Sequence, residues 1–424
     1  MIKKIRNIII IFLILIFIIW NKKFVPIKRE ITQIELIQTI GLDTAKNDTY
    51  RITTAQNTKT SSSKTSDSTS TSTSEQGGMQ KMASIESFTF SDALKTLNGF
   101  SVKYVTMSHV DYFLIGENAA KTDLKTIIDF AMRNHESRVN ARIYITKGMD
   151  SSEFLKSETN KDYDIEDRLE SMENNSTIKS VIVPKDLLDG LNILLSDEKC
   201  GVIPALKIIA ADSKKDVNGD SNDNINPTLS NKENSTIKSS INIGKEQENF
   251  FDYDGYGVIV GGKLVGYLNK KESIIYNMIN NDFINGTMDI FLNDNNSMSF
   301  NIKKSNTNVS FNFDNDHLSQ ININTQLKTT IEEIDKESLM SDNNMLKKYE
   351  EKQKELIKSE IENLFSKITK YNSDFIGFNI KCKLQHPYKY EKIKDNWINE
   401  LKNAKVNVNV DTQIRRSYDI VDIY

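Results

Sequence analysis

The fold is predicted most clearly from residues 108–148, which read SHVDYFLIGENAAKTDLKTIIDFAMRNHESRVNARIYITKG. Tyr112 to Ile115 is a short apolar run, and Arg142 to Thr146 alternates apolar with polar residues, so both predict strands. Between them, apolar residues recur at helical spacing: Ala120, Leu124, Ile127, Ile128 and Ala131. Two strands joined through a helix usually lie parallel in one sheet, so the stretch predicts a β-α-β unit with the helix covering one face.

Length and composition limit the classes of protein that fit. A chain of 424 residues is long for one core and suggests two or three domains. Lys+Arg 55 against Asp+Glu 58 gives a net charge of -3, so we expect no nucleic-acid partner. Cys200 and Cys382 are the only cysteines, which excludes a disulfide framework and a cysteine-rich metal site. The sequence leaves open whether these two cysteines pair.

The amino-terminal residues 1–24 are predicted to be a membrane anchor or signal segment. Lys3, Lys4 and Arg6 precede an apolar run from Ile8 to Trp20, which is the order of an export signal. The run is shorter than the ~20 residues of a membrane helix, although later apolar residues extend it if the intervening lysines snorkel. No small-residue cleavage site follows, so an uncleaved anchor is favoured over a removed signal peptide.

The rest of the chain is predicted to be α+β or mixed α/β and multi-lobed, each lobe a β-sheet with helices packed on it. Residues 25–211 form an N-terminal mixed α/β domain, with a disordered Ser- and Thr-rich loop at 57–78. Residues 212–250 form a polar linker or loop. Residues 251–424 form a C-terminal mixed α/β domain of one or two lobes.

Several element predictions depend on local pattern. In the N-terminal domain, Ser91 is the expected N-cap of a helix, and a strand at 202–211 is expected to be interrupted by Pro204. In the C-terminal domain, Gly261-Gly262 predicts a hairpin turn. Residues 374–384 are predicted to be a strand, and residues 390–401 one helix.

The longest predicted helix runs from Met345 to Tyr371. Its apolar stripe comprises Tyr349, Leu356, Ile357, Ile361, Leu364, Phe365 and Ile368. The stripe spans few heptads, so we expect it to pack on a sheet rather than to dimerise.

Three short motifs resemble nucleotide, calcium and catalytic-triad sites, but none of them meets the requirements of such a site. Gly257 to Lys263 resembles a phosphate loop, but its intervening residues are Val258, Ile259 and Val260 and a strand follows, so a hairpin is favoured. Asp216, Asn218 and Asp220 resemble the start of a calcium loop. The sixth position is Ser221 where a Gly is needed, and the twelfth is Pro227 where a Glu is needed, so the match is rejected. His109 lies beside Ser108 and Asp111, but triads assemble from distant segments. We expect His109 to have a structural role at the start of a strand.

Candidate ionic sites are weak as well. None of His109, His135, His317 and His386 has a partner at metal-ligand spacing. Glu332 and Glu333 are adjacent and so point apart. Arg133 and Arg138 near Glu136 predict a local ion-pair network rather than a ligand clamp. We therefore expect no catalytic, cofactor-binding or metal-binding residues, although acids brought together from distant segments would leave no sequence signal.

The N-terminal domain contains a series of short motifs: Arg29-Glu30-Ile31, Ile40-Gly41-Leu42-Asp43, Ser108-His109-Val110, Phe113-Leu114-Ile115-Gly116-Glu117, Asp129-Phe130-x-x-Arg133, Glu136-x-Arg138 and Thr146-Lys147-Gly148. In their order and spacing these motifs resemble the N-terminal domain of the Ger(x)C family of spore germination proteins. The second half resembles the family's C-terminal domain. Its pieces are Asp254-Gly255 before the Gly-Gly hairpin, Asp374-x-x-Gly377-Phe378, Trp397 after the turn at Pro387, and the Val406-x-Val408-x-Val410 strand.

The resemblance implies three mixed α/β lobes and a role as the C subunit of a nutrient germinant receptor. Its partners would be a polytopic A subunit and a membrane-embedded B subunit, on the outer face of the spore inner membrane. Members typically carry a lipobox cysteine, whereas the first cysteine here is Cys200, so the apolar segment would have to hold this chain.

We therefore expect an anchored extracytoplasmic interaction subunit that is not an enzyme and takes no cofactor. The alternatives are an anchored cell-envelope enzyme such as a wall hydrolase, and a solute-binding protein.

Overall fold

A computed structural model describes residues 30–56, 81–158, 163–175, 180–209, 228–230, 250–293, 296–334 and 343–415, with residues 6, 10–12, 16 and 17. The strands are β1 (Ile34–Leu36), β2 (Thr39–Thr44), β3 (Tyr50–Gln56), β4 (Lys81–Ser87), β5 (Tyr104–Thr106), β6 (Tyr112–Gly116), β7 (Arg142–Thr146), β8 (Cys200–Ile209), β9 (Thr228–Ser230), β10 (Phe250–Val260), β11 (Lys263–Leu268), β12 (Gly286–Asn293), β13 (Asn296–Asp314), β14 (His317–Ile334) and β15 (Lys405–Arg415). The helices are α1 (Phe90–Phe100), α2 (Glu117–Arg133), α3 (Ser151–Glu158), α4 (Ile165–Asn174), α5 (Leu187–Leu195), α6 (Lys270–Asn280), α7 (Asn343–Tyr371), α8 (Phe378–Gln385), α9 (Pro387–Ile393) and α10 (Trp397–Asn403).

An eight-stranded sheet contains the predicted β-α-β unit. Its order is β11-β10-β8-β7-β6-β2-β3-β4, with β2, β6, β7 and β8 parallel and antiparallel strands at both ends. β6 and β7 pair in parallel on either side of α2 in sequence, and the five apolar helix residues singled out from the sequence are all buried. The β-α-β prediction is confirmed.

Strands β10 and β11 lie in this same sheet, although the sequence places them at the start of the C-terminal domain. β10 pairs antiparallel with β8, from Phe250 opposite Ile209 to Val260 opposite Cys200. The polar stretch between β8 and β10, most of which lies outside the described residues, marks a change of composition but not the end of the sheet. The predicted boundary at 212–250 therefore differs from the limits of the sheet.

The predicted interruption of β8 at Pro204 is wrong. Pro204 pairs with Tyr256, where the β10 register shifts between Tyr253 and Tyr256. Gly255 within that bulge has a φ of 76°. Proline is tolerated at bulges because the ladder is already locally relaxed there, so β8 stays continuous.

A five-stranded sheet follows, in the order β15-β14-β13-β12-β9. β13 and β14 form one long antiparallel hairpin, in which β13 is a single strand of 19 residues. β15 pairs in parallel with β14. The α7 stripe is buried except at Phe365, which is partly buried, and it packs in the core beneath this sheet as predicted.

Three further local predictions are corrected. Residues 378–385 form α8 rather than a strand, because Gly377 adopts a left-handed conformation (φ 86°) and Asp374 caps the helix that follows. The helix predicted at 390–401 is divided into α9, a 3-10 turn and α10. The N-cap of α1 is Thr89, whose side chain accepts a hydrogen bond from the Asp92 amide, rather than Ser91.

The two faces of the eight-stranded sheet belong to different cores. Phe113 and Ile115 of β6 pack with α1 and α2, while Leu114 between them faces the opposite side. That opposite core is continuous with the core of the five-stranded sheet, since one cluster includes both Phe154 and Trp397. The two halves of the chain therefore share one core. Among the helices of the described residues, none combines the length and the apolar character needed to cross a bilayer.

Replacing Ile357 with Ala tests the packing of α7. Ile357 is 0% exposed, so its truncation should lower the free energy of unfolding by about 2–5 kcal/mol. Denaturant unfolding monitored by circular dichroism measures the change. The matched control is exposed Lys358→Ala, which should stay within about 0.5 kcal/mol of the parent. Equal stability of the two variants would contradict the packing of this stripe.

Candidate functional site

The carboxyl ends of β2, β6 and β7 meet at one edge of the eight-stranded sheet. Open sheets with parallel strands usually bind ligands at such an edge, so it is the first place to look for a site. The charged residues here are Asp43, Glu117, Lys147, Asp150 and Asp254, which we call the edge cluster. All of them except Asp150 belong to motifs of the family resemblance.

Asp43 occupies the position that an anion would take at a helix N-terminus. Its Oδ1 accepts a hydrogen bond from the Ser151 amide (2.7 Å) and its Oδ2 from the Ser152 amide (3.0 Å), at the start of α3. Free amides and the helix dipole favour negative charge there. Burial nevertheless raises the pKa of the Asp43 carboxyl, although these amides oppose the rise. Asp43 thus acts as an internal cap for α3.

Gly116 makes this capping arrangement possible. It ends β6 and is the N-cap of α2. A Cβ at this position would overlap the Asp43 carboxylate and lie 3.2 Å from the Ser151 amide. The glycine of the Phe113 to Glu117 motif therefore provides space for the Asp43 side chain.

Arg51 on β3 connects the cluster to the neighbouring strand. Its Nη2 lies 2.6 Å from Glu86 Oε1, and its Nη1 donates to Ser152 Oγ (3.1 Å). The same Nη1 lies 3.6 Å from Asp150 Oδ2. Burial, together with the charge of Asp43, raises the pKa of Asp150, and the guanidinium partly offsets that rise.

Lys147 and Asp254 join the two halves of the chain. Lys147 Nζ donates to Asp254 Oδ2 and lies 4.7 Å from the centre of the Tyr267 ring. Glu117 accepts from Lys121 and from the Gly148 amide, and these contacts outweigh burial and lower its pKa. The Thr146-Lys147-Gly148 motif of the first half thus contacts the Asp254-Gly255 motif of the second.

Each carboxylate of the edge cluster is held by the protein's own donors. Asp43 binds the start of α3, Glu117 binds Lys121, Asp150 faces Arg51, and Asp254 binds Lys147. A general acid or base has to reach a substrate proton, and a perturbed pKa in a structural ion pair does not provide that access. The edge cluster therefore fits a structural role, in which it joins α3, β3 and β10 to the parallel strands, better than it fits a catalytic role.

A second buried carboxylate, Asp374, organises the C-terminal helices. Its Oδ1 accepts from the amides of Gly377 (3.1 Å) and Phe378 (3.0 Å), and its Oδ2 from the Asn379 amide (2.7 Å) and Trp397 Nε1 (2.9 Å). Burial raises the pKa of Asp374 to about 6, although these four donors oppose the rise. The Asp-x-x-Gly-Phe motif and the motif tryptophan are thus one hydrogen-bonded unit.

The histidines singled out from the sequence occupy separate settings. His109 and His135 are exposed, and His109 lies in a turn before β6 rather than at the start of a buried strand. His317 Nδ1 lies 2.9 Å from Glu400 Oε1, and His386 is the N-cap residue of α9. Within the described ranges, no three His, Cys, Asp or Glu side chains form a group that could hold a metal ion.

The predicted arginine network is wrong in its partners. Arg133 pairs with Asp129 (2.7 Å) and is 79% exposed, whereas Arg138 pairs with Asp111 (2.8 Å). Glu136 accepts hydrogen bonds from the β5 segment instead. Closeness in sequence favoured Glu136 as the partner of both arginines. Instead, Arg133 pairs within its own helix, α2, and Arg138 pairs with the residue before β6.

The remaining candidates are also placed. Gly261 and Gly262, with φ of 59° and 75°, form the turn between β10 and β11, which confirms the hairpin over the phosphate loop. Glu332 and Glu333 are exposed on β14. The calcium-like residues 216–227 lie outside the described residues. Cys200 and Cys382 are free thiols.

Sequence reasoning did not find the roles of Asp43, Arg51 and Asp150. Asp43 and Arg51 face each other across β2 and β3, but Asp150 comes from a loop about a hundred residues later. A carboxylate at the end of an apolar strand was a weak signal for Asp43. No pattern in the sequence indicates its partners on α3.

Two family models match this chain. The spore germination protein N-terminal domain matches residues 28–208, and the spore germination B3/GerAC-like C-terminal domain matches residues 254–418. The chain belongs to the Ger(x)C family of spore germination proteins. The resemblance noted in the sequence is confirmed, and the Ger(x)C family is that of germinant receptor C subunits.

A solved structure agrees with the fold of this Ger(x)C chain. The crystal structure of the GerBC protein matches it with a TM-score of 0.50 and 14% identity, over 88% of this chain and 96% of that one. At this identity the likeness concerns the fold, and it confirms the prediction of sheets with helices packed on them. No curated protein matches the Ger(x)C chain in sequence.

The pKa of Asp374 predicts how stability depends on pH. Its pKa of about 6 in the folded protein lies above the usual value of about 4 for an aspartate, so the folded state binds the proton more tightly and this contribution to stability falls as pH rises from about 4 to about 6. This difference in pKa corresponds to about 3 kcal/mol. Asp374→Asn should remove this contribution, so parent and variant should diverge across that range in unfolding midpoints measured at each pH.

Asp316→Asn is the matched control for this measurement. Asp316 is exposed on the β13–β14 turn, and its hydrogen bond from Lys392 lowers its pKa, so it titrates below the tested range. The control should keep the parent's pH dependence between about 4 and 6. If Asp374→Asn keeps it as well, burial does not perturb Asp374 as described.

Proposed function

We propose that this chain is the membrane-anchored, extracytoplasmic C subunit of a spore nutrient germinant receptor. It would work without catalysis, beside a polytopic A subunit and a membrane-embedded B subunit on the outer face of the spore inner membrane. The observation that carries the proposal is membership of the germinant receptor C-subunit family along most of the chain.

The amino-terminal segment supports the anchoring step. Ile10, Ile11, Phe12, Ile16 and Phe17 are helical and exposed, with Phe12 at 65% and Phe17 at 69%. Exposed apolar side chains in succession are unfavourable in water and favourable in a bilayer. The segment also follows the basic residues typical of export.

The internal use of the buried acids supports the absence of catalysis. Asp43 and Asp374 have the raised pKa values that often accompany an acid catalyst, but each is surrounded by amide donors that fix it in place. An interaction subunit needs a stable fold to present its binding surface, and these contacts stabilise the fold. The subunit would thus contribute to receptor assembly or signalling rather than to a reaction.

Anchoring would raise the effective concentration of this subunit at its partners. Confinement of a module next to its binding site can strengthen association by about 10²–10⁴ without any new contact. The globular part released from the membrane would therefore bind its partners too weakly to support germination.

A strain that lacks this chain tests the proposal. It is complemented either with the full chain or with a version whose residues 1–24 are replaced by a cleavable export signal, at matched levels. The full chain should restore nutrient-triggered germination, and the released version should fail or act far more slowly. A germination trigger that bypasses nutrient receptors serves as the control for spore viability. Equal germination with both versions would contradict the tethering role.

Purified full chain tests the absence of catalysis directly. Incubation with cell-wall material should release no soluble fragments above the level of a heat-denatured sample. Release of fragments would instead support the envelope hydrolase. An increase in thermal stability with a small nutrient would support the solute-binding alternative.

A further inference from the structure

Two large apolar side chains are exposed to solvent between the end of α1 and the start of β5. Phe100 is 81% exposed and Val102 is 103% exposed. Beside them, a Cβ added at Gly99 would meet no atom within 4 Å, so this part of the chain faces open space. We call residues 100–103 the apolar loop. Single exposed apolar residues are common, but two large ones within one short loop call for a partner.

The pairing of β1 with β5 places the apolar loop next to the start of the globular part. The two strands are parallel, with Ile34 opposite Tyr104. Parallel strands enter a pair from the same end, so the residues that precede β1 and the apolar loop that precedes β5 emerge side by side. Neighbouring strands are about 4.8 Å apart.

The chain before β1 leads back to the apolar amino-terminal segment. Trp20, the last residue of the apolar run, is ten positions before Glu30. Ten residues span at most roughly 35 Å even when fully extended. Wherever that run is held, the end of the β1–β5 pair that carries the apolar loop is close to it.

We propose that the apolar loop inserts into the head-group region of the bilayer that holds residues 1–24. The inference rests on the anchoring proposed above. Phe100 and Val102 provide apolar area for the acyl boundary, and exposed Lys103 is positioned for anionic head groups. A second contact would fix the orientation of the globular part, with the entry end of β1 and β5 toward the membrane.

A fluorescent reporter on the full chain tests this contact. Val102→Cys is labelled with an environment-sensitive dye, and Leu384→Cys is the matched control because Leu384 is 79% exposed on α8. Burial raises the thiol pKa of Cys200 and of Cys382 to about 12, so both native thiols react slowly at neutral pH. The labelled chains are placed in vesicles that contain anionic lipid and a lipid-bound quencher at head-group depth.

The label at position 102 should shift its emission to shorter wavelength and be quenched, while the label at 384 keeps its aqueous emission. Phe100→Asp in the Val102→Cys background should abolish the shift while the chain still floats with the vesicles. If the chain floats and both labels respond alike, the loop contact is wrong and the anchor stands. If the chain does not float, the anchor fails and the loop contact fails with it.

Discussion

The pairing of β8 with β10 is the contact on which the rest of the structure depends. β8 ends the first half of the chain and β10 begins the second, and the ladder between them runs from Ile209 opposite Phe250 to Cys200 opposite Val260. β10 also contributes Tyr253 and Tyr256 to the core shared with the five-stranded sheet. Without this ladder, the β10–β11 hairpin would lose its attachment to the sheet and the shared core would lose two large aromatic side chains. The change of composition between the two strands therefore does not mark the limit of the sheet.

The ionic contacts at the edge of the sheet reinforce the same junction. Lys147 follows β7 and Asp254 lies in β10, so their ion pair crosses from the first half of the chain to the second. Asp43 and Gly116 hold α3 against the parallel strands on the same edge. In many open sheets this edge is kept free for a ligand. Here the carboxylates of the edge cluster bind the protein's own amides and side chains, so these motif residues join parts of the fold.

How much could be predicted depended on whether the signal was local. The unit from Tyr112 to Thr146 was predictable because its helix and strand periods are strong and its partners are neighbours in sequence. α8 was not predictable as a helix, because the residues Phe375 to Phe378 look like a strand until Asp374 is seen to cap them through three amides. The continuity of β8 through Pro204 depends on a bulge in β10, about fifty residues later. The edge cluster likewise assembles from segments that only the sheet topology brings together.

A shared core has a mechanical consequence for an interaction subunit. If each half had its own core and a linker joined them, the two halves could move relative to one another, and a displacement of one half would not be transmitted to the other. In this chain one continuous cluster reaches from Phe154 under the first sheet to Trp397 under the second, and relative motion of the sheets would expose it to water. Close-packed cores move as units rather than deforming continuously. The globular part is therefore suited to keep a fixed spacing between its two sheets, as the interaction subunit proposed above would require.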